Sequence, residues 1–217
     1  NDKKNIAYKS RHIAYQNRGD YYFELEDFES ALIDYNTAIK SEPTYIKVYK
    51  KRADLYKKTK DYTNALIDYT TAIDLDPKNP ERYEDRANCY EDNNQYELSL
   101  NDYNTAVRLD SDNPERYFDR AFIYDMYLNN PELAIKDYTS AIDLNPKFAI
   151  CYRFRSSLYT SLKKYDLALE DITTAIGLDS TAYTFTIRGD IYNDLENYDK
   201  AIEDYTTAIM LDSSYDF

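Results

Sequence analysis

The chain has 217 residues, with 27 basic against 40 acidic side chains and a single histidine, for a formal net charge of −13. A surface this acidic repels polyanions, so nucleic acid is not an expected partner, and the lone His12 removes any His-based triad or paired-His metal site on inventory. No apolar run approaches the ~18 residues of a membrane span, and no signal peptide is legible, although a start at Asn1 rather than Met leaves room for a removed leader or an upstream domain.

After an N-terminal extension, residues 1–11, one framework returns six times at a spacing of 33 to 35 residues. In residues 12–45 it reads Tyr15, Arg18-Gly19 and Tyr22, then Ala31, Asp34-Tyr35 and Ala38-Ile39. Spacings of three and four place the first set on one face of a helix and the second set on one face of another. Glu24-Leu25-Glu26-Asp27 between them carries a helix boundary, followed by Phe28. The second copy, 46–79, restarts at Tyr49 and turns at Thr59-Lys60-Asp61. The third, 80–113, opens with Asn79-Pro80-Glu81, which reads as an N-cap, a proline at the first helical position and an acid favoured by the helix dipole. Asn113-Pro114-Glu115 repeats that signal for 114–148, where one extra residue enters the internal turn near Asn129-Asn130-Pro131. Copies 149–181 and 182–215 restart at Tyr152 and Phe185, with one residue lost between them. Repetition at this period marks a stacked array whose units bury their apolar faces against each other. About twelve helices of 10 to 15 residues and no sheet are predicted.

An aromatic, small, aromatic, Ala, aromatic, Ala pattern on a 34-residue helix pair resembles the tetratricopeptide repeat, and Ala65-Leu66-Ile67-Asp68-Tyr69-Thr70-Thr71-Ala72-Ile73-Asp74-Leu75-Asp76-Pro77 matches its second helix closely. The resemblance implies an all-α, right-handed superhelical solenoid of six helix pairs forming a single array over 12–217. Arg18, Arg52, Arg86, Arg120, Arg155 and Arg188 depart from it, standing where the family more often has Leu. Each is matched by an Asp on the second helix: Asp34, Asp68, Asp102, Asp137, Asp171 and Asp204. These columns are read as a structural ladder in which each partly buried charge has its partner. On that reading, Arg86→Leu is expected to be tolerated better than Asp102→Ala.

The chemistry-bearing residues are sparse. Of the 26 tyrosines, all but Tyr8, Tyr21, Tyr45, Tyr127, Tyr183 and Tyr215 fall at framework positions, so the aromatic content is mostly core. Cys89 and Cys151 lie on first helices two repeats apart, beyond disulfide reach, and are expected to be reduced packing residues. Gly19 and Gly189 occupy a helix-crossing slot, and the chain has no glycine-rich phosphate loop. Asp110-Ser111-Asp112-Asn113 fails as a calcium loop because Pro114 follows where a turn Gly is needed. No catalytic group, metal or cofactor is therefore predicted.

In the family the concave face is lined mainly by first-helix residues alternating with the core. Carried onto this sequence, that face takes Lys47, Lys50, Lys51, Lys57 and Lys58 from the second repeat and Glu81, Glu84, Asp85, Asn88, Glu91 and Asp92 from the third. The fourth adds Glu115, Phe118, Asp119, Phe122, Asp125 and Met126, and the fifth Ile150, Arg153, Phe154 and Ser157. A groove running basic, acidic, then acidic with exposed aromatic anchors suits a protein or peptide segment carrying basic and hydrophobic side chains. The carboxylate clamp of chaperone-binding members is not expected: Gln16 and Asp20 stand at its first pair, Lys51 in the second repeat, and Glu81 and Asp85 occupy its basic slots. The expected function is a non-enzymatic interaction scaffold. Alternatives are a regulatory or targeting module of a larger enzyme and a structural protein self-assembling through uncapped array ends. Reduced cysteines favour the cytoplasm, with secreted or periplasmic settings left open.

Overall fold

The computed structural model describes residues 11–212. Among them are twelve helices and no strand: α1 Arg11–Glu24, α2 Phe28–Ser41, α3 Ile46–Lys58, α4 Tyr62–Leu75, α5 Pro80–Asp92, α6 Tyr96–Leu109, α7 Pro114–Met126, α8 Pro131–Leu144, α9 Ala149–Ser161, α10 Tyr165–Leu178, α11 Ala182–Asp194 and α12 Tyr198–Leu211. Each has 13 or 14 residues, within the predicted range. They form two compact units, one ending at Asp110 and one beginning at Ser111. In the first, α1/α2, α3/α4 and α5/α6 pair, and each pair packs on the next. In the second, α7/α8, α9/α10 and α11/α12 do the same.

The repeat framework explains the packing. Ala31, Tyr35 and Ala38 of α2 are fully buried, as are Ala65, Tyr69 and Ala72 of α4 and Ala134, Tyr138 and Ala141 of α8. Small residues let the paired helices approach, and each tyrosine ring fills the space left. Gly19 and Gly189 mark close approaches: a Cβ at Gly19 would lie 2.7 Å from Cε1 of Tyr35, and one at Gly189 2.7 Å from Cε1 of Tyr205. Both cysteines are buried and free, Cys89 beside Ala53 and Tyr69, and Cys151 beside Tyr138 and Ile142.

The boundaries follow from capping. Asn79 and Asn113 accept the backbone N–H groups of Glu81 and Glu115, with Pro80 and Pro114 at the first helical position. The extra residue of the fourth repeat lies in the turn before Asn130, which caps α8. Within every helix pair the chain turns through a left-handed residue that is not glycine: Glu26, Lys60, Asn94, Asn129, Lys163 and Glu196, with φ from 46° to 62°. At the first of these, Asp27 N–H donates to Tyr22 O at 2.9 Å and Glu26 N–H to Phe23 O at 3.0 Å, the Schellman closure usually built with glycine.

All six Arg–Asp pairs form, each through both Nε and Nη2. In the third repeat, Arg86 donates to the two oxygens of Asp102 at 2.7 and 2.8 Å. A further contact lies outside the expected ladder. Arg52 Nη1 reaches Asn36, Arg86 Nη1 reaches Thr70 Oγ1 at 3.0 Å, and Arg155 Nη1 reaches Thr139 Oγ1 at 2.8 Å. Arg52, Arg86 and Arg155 therefore each join their own repeat to the preceding one. The carboxylate is also the more buried partner, with the Asp102 side chain 7% exposed against 19% for Arg86. On this geometry Arg86→Leu is instead predicted to be the costlier change, because leucine would strand a buried carboxylate and cut the tie to the previous repeat.

Candidate functional site

The first helices carry the predicted site residues. Within the first unit α1 touches α3, and within the second α9 touches α11, so first helices meet from one repeat to the next.

In the first unit the basic and acidic stretches neutralise each other. Lys50 of α3 is ion-paired with Asp85 of α5 and lies 3.9 Å from Asp54, while Arg82 approaches Asp85 at 3.8 Å. Lys57 pairs with Asp92 at 3.1 Å, and Lys51 lies 3.7 Å from Asp20. Burial lifts the Asp85 carboxyl above its ordinary value, opposed by the hydrogen bond from Lys50. Lys47 and Glu81 are exposed, and Glu84 is half-buried. The bands read as separate basic and acidic surfaces are thus largely each other's partners.

A second column of polar contacts lies on the same helices. The hydroxyl of Tyr35 donates to Asp20 at 2.8 Å, Tyr69 to Asp54 at 2.5 Å, Tyr103 to Asn88 at 2.7 Å and Tyr205 to Asp190 at 2.7 Å. Asn88, expected to face a partner, is an acceptor in this column. The sequence held a signal for it that spacing alone does not reveal. In the fifth repeat Ile172 replaces the tyrosine and Ser157 replaces the acid, so donor and acceptor are lost together.

The fourth repeat breaks the column. Phe122 stands at the acceptor position, and Tyr138 turns instead to Asp125 at 3.4 Å. Phe122 joins an aromatic cluster between α7 and α9. Phe118 lies 5.7 Å from Phe154 and Phe148 and 5.9 Å from Tyr138, Phe122 lies 5.8 Å from Phe154 and 6.0 Å from Tyr127, and Tyr138 stacks on Phe154 at 5.8 Å. Phe118, Phe122 and Phe154 are half-buried against one another rather than exposed as expected, while Met126 and Tyr127 at the end of α7 are exposed. Arg153 of α9 sits over Phe154 at 5.2 Å and over Tyr183 at 5.1 Å, beside a cavity of about 110 Å³ lined with Ala149, Ile150, Asp179 and Thr184. Glu115 is exposed on the first turn of α7, and Asp119 and Asp125 are half-buried on the same helix. Burial raises the Asp125 carboxyl, opposed by the Tyr138 hydroxyl.

His12 meets Tyr45 edge-on at 4.5 Å. No helix among the described residues is long and apolar enough to cross a membrane.

Comparison with known proteins bears on this arrangement. Models described as tetratricopeptide repeat match residues 12–45 and 46–79, 120–183, and 182–215, and one described as TPR repeat matches 87–126. Small glutamine-rich tetratricopeptide repeat-containing protein 2 of Saccharomyces cerevisiae is 44% identical over 52 residues, 24% of this chain and 15% of that protein. The chain thus spans about 15% of the length of this curated relative. Among solved structures, pilF of Pseudomonas aeruginosa superposes with a TM-score of 0.73 at 16% identity, covering 95% of this chain and 94% of that one. A MamA crystal structure gives 0.70 at 21%, covering 79% and 96%. YrrB, described as a TPR protein with an unusual peptide-binding site, gives 0.66 at 22%, covering 83% and 93%. At these identities the likeness shows the fold.

Proposed function

Because this chain belongs to the tetratricopeptide repeat family, we propose that it is a non-enzymatic scaffold that holds a segment of a protein partner on its first helices, with the aromatic cluster of α7 and α9 as the anchor. The reading is supported by where reactive groups are used. The six framework aspartates are held by arginines, the cysteines are buried, and His12 packs on a tyrosine ring. A peptide-binding site is also part of the description of YrrB, which shares the fold.

The single observation that carries the proposal is the replacement at Phe122. Four other repeats spend this position on an acceptor for a core tyrosine, whereas here an aromatic ring gives up that bond and faces Phe154 and Tyr127. The 3.4 Å contact of Tyr138 to Asp125 recovers only part of the ~1 kcal/mol such a hydrogen bond contributes, a cost that contact with a partner would offset. The partner segment this surface suits carries an apolar or aromatic side chain for the cluster and basic neighbours for the acids of α7. The basic band of the second repeat is not part of the proposed site, since Lys50, Lys51 and Lys57 serve the first unit's own carboxylates.

The substitution Phe122→Asp provides the test. It restores the residue type used at Asp20, Asp54 and Asp190 and offers Tyr138 an acceptor, so the fold should be kept. Peptides selected from a displayed library on the wild-type chain should bind the variant at least tenfold more weakly by calorimetry, for the loss of an anchor contributing ~2 kcal/mol. Equal affinity, with unchanged circular dichroism, would place the binding surface elsewhere.

A further inference from the structure

The cleft between α9 and the turn into α11 holds a cation that has no ion-pair partner among the described residues. Arg153 of α9 is half-buried and lines the cavity of about 110 Å³ together with Ala149, Ile150, Asp179 and Thr184. Its guanidinium carbon lies 5.2 Å from the centre of the Phe154 ring and 5.1 Å from that of Tyr183. Among the described residues the guanidinium makes neither a hydrogen bond nor a salt bridge.

The repeat pattern explains the missing partner. Lys50 follows Tyr49 as Arg153 follows Tyr152. Lys50 is paired with Asp85, which stands two residues after Tyr83 in the next repeat. The corresponding residue for Arg153, two after Phe185, is Ile187, and it packs into the core formed by α10 and α11. The acid is gone while the cation is kept, and a half-buried charge without a partner is costly. Tyr183, which lies outside the repeat framework, contacts the guanidinium instead. A ring attracts the cation through its face but does not satisfy the in-plane N–H donors.

We propose that Arg153 binds the carboxylate of an acidic side chain in the partner segment, an inference that rests on that segment lying across α7 and α9. A carboxylate fits because it accepts two parallel N–H donors of one guanidinium. Asp179, exposed on the same cleft, already places a negative charge there, which disfavours a phosphate group carrying nearly two. The cavity is several waters in size, room for the end of an Asp or Glu side chain. Phe154 belongs both to the aromatic cluster and to the surroundings of Arg153, so in an extended segment the acid lies within about three residues of the apolar anchor. With basic residues set against the acids of α7, the segment reads basic, apolar, acidic from the fourth repeat to the sixth.

Parallel selections from one displayed peptide library, against the wild-type chain and against Arg153→Met, test this. Methionine keeps an unbranched apolar stem beside the rings and breaks no ion pair, so helicity should be unchanged. Wild-type binders should carry Asp or Glu at a fixed spacing from an aromatic or aliphatic residue. Binders of Arg153→Met should keep the apolar residue and lose the acid. In calorimetry with a C-terminally amidated wild-type binder, changing its acid to the corresponding amide should weaken binding about tenfold, as for loss of one charge-assisted hydrogen-bonded pair. The same change should leave binding to Arg153→Met unaltered. Wild-type binders without the acid, an acid retained in the Arg153→Met pool, an equal loss on both chains, or binding that needs a free C-terminal carboxylate in place of the acid would each overturn the inference. Failure of the anchor reading is distinct, since it shows as equal affinity for Phe122→Asp whatever the outcome at Arg153.

Discussion

At the residue scale, the arginine–aspartate pairs show how a charge can be built into a repeat core. Hydrogen bonding to Asp102 outweighs burial and holds the Arg86 guanidinium above its ordinary pKa. Arg86→Leu is expected to cost ~3 kcal/mol by urea denaturation and Asp102→Ala less, since the carboxylate is the more deeply buried charge. The double change Arg86→Leu with Asp102→Leu, which removes both charges, should cost less than Arg86→Leu alone. The thiols give a pH-dependent counterpart. Burial pushes Cys89 up to about 11 and Cys151 up to about 12, whereas an unfolded thiol ionises near ~8.5. With the folded values above the unfolded one, their contribution to stability is fully present below pH ~8.5 and is lost as the pH rises toward the folded values. Urea melts at neutral and alkaline pH should therefore show a smaller alkaline fall for the variant with both cysteines changed to alanine than for the wild type.

At the scale of the element, the short turns within helix pairs set the geometry. A left-handed conformation costs a non-glycine residue ~1–2 kcal/mol, while glycine carries an entropic penalty of ~0.5–1 kcal/mol. Lys60→Gly should thus stabilise the chain by ~0.5–1 kcal/mol in thermal or urea melts. Asn94→Gly should gain less, because asparagine already tolerates this region. If both variants are destabilised, the Schellman closure read from Asp61 N–H to Tyr56 O and Gln95 N–H to Tyr90 O is not what ends α3 and α5. Phe122 belongs to this scale too, since its effect depends on the column it interrupts along successive first helices.

At the scale of the whole molecule, a net charge of −13 acts on every association. A basic partner is attracted by this field, so its association should slow as salt is added. Surface plasmon resonance across a salt series should show this slowing. An association rate that does not change with salt would mean that the acids of α7 do not steer the partner.

Helix number, pairing and boundaries were legible in the chain because they depend on local periodicity and on residues such as Asn79-Pro80 and Asn113-Pro114 that act within one turn. The Arg–Asp ladder was legible as a recurring pair, and the lost residue before Thr181 and the added one near Asn129 were legible as breaks in the period. Tertiary structure decided what those residues do to one another. It made Asp102 rather than Arg86 the more buried charge, paired Lys50 with Asp85 thirty-five residues away, carried Arg86 back to Thr70 and folded Phe118 and Phe154 partly into the core. The physical reason is distance. A helix face follows from neighbours three and four residues apart, whereas the partner of a side chain on that face depends on how one repeat stacks on the next, which no single repeat specifies.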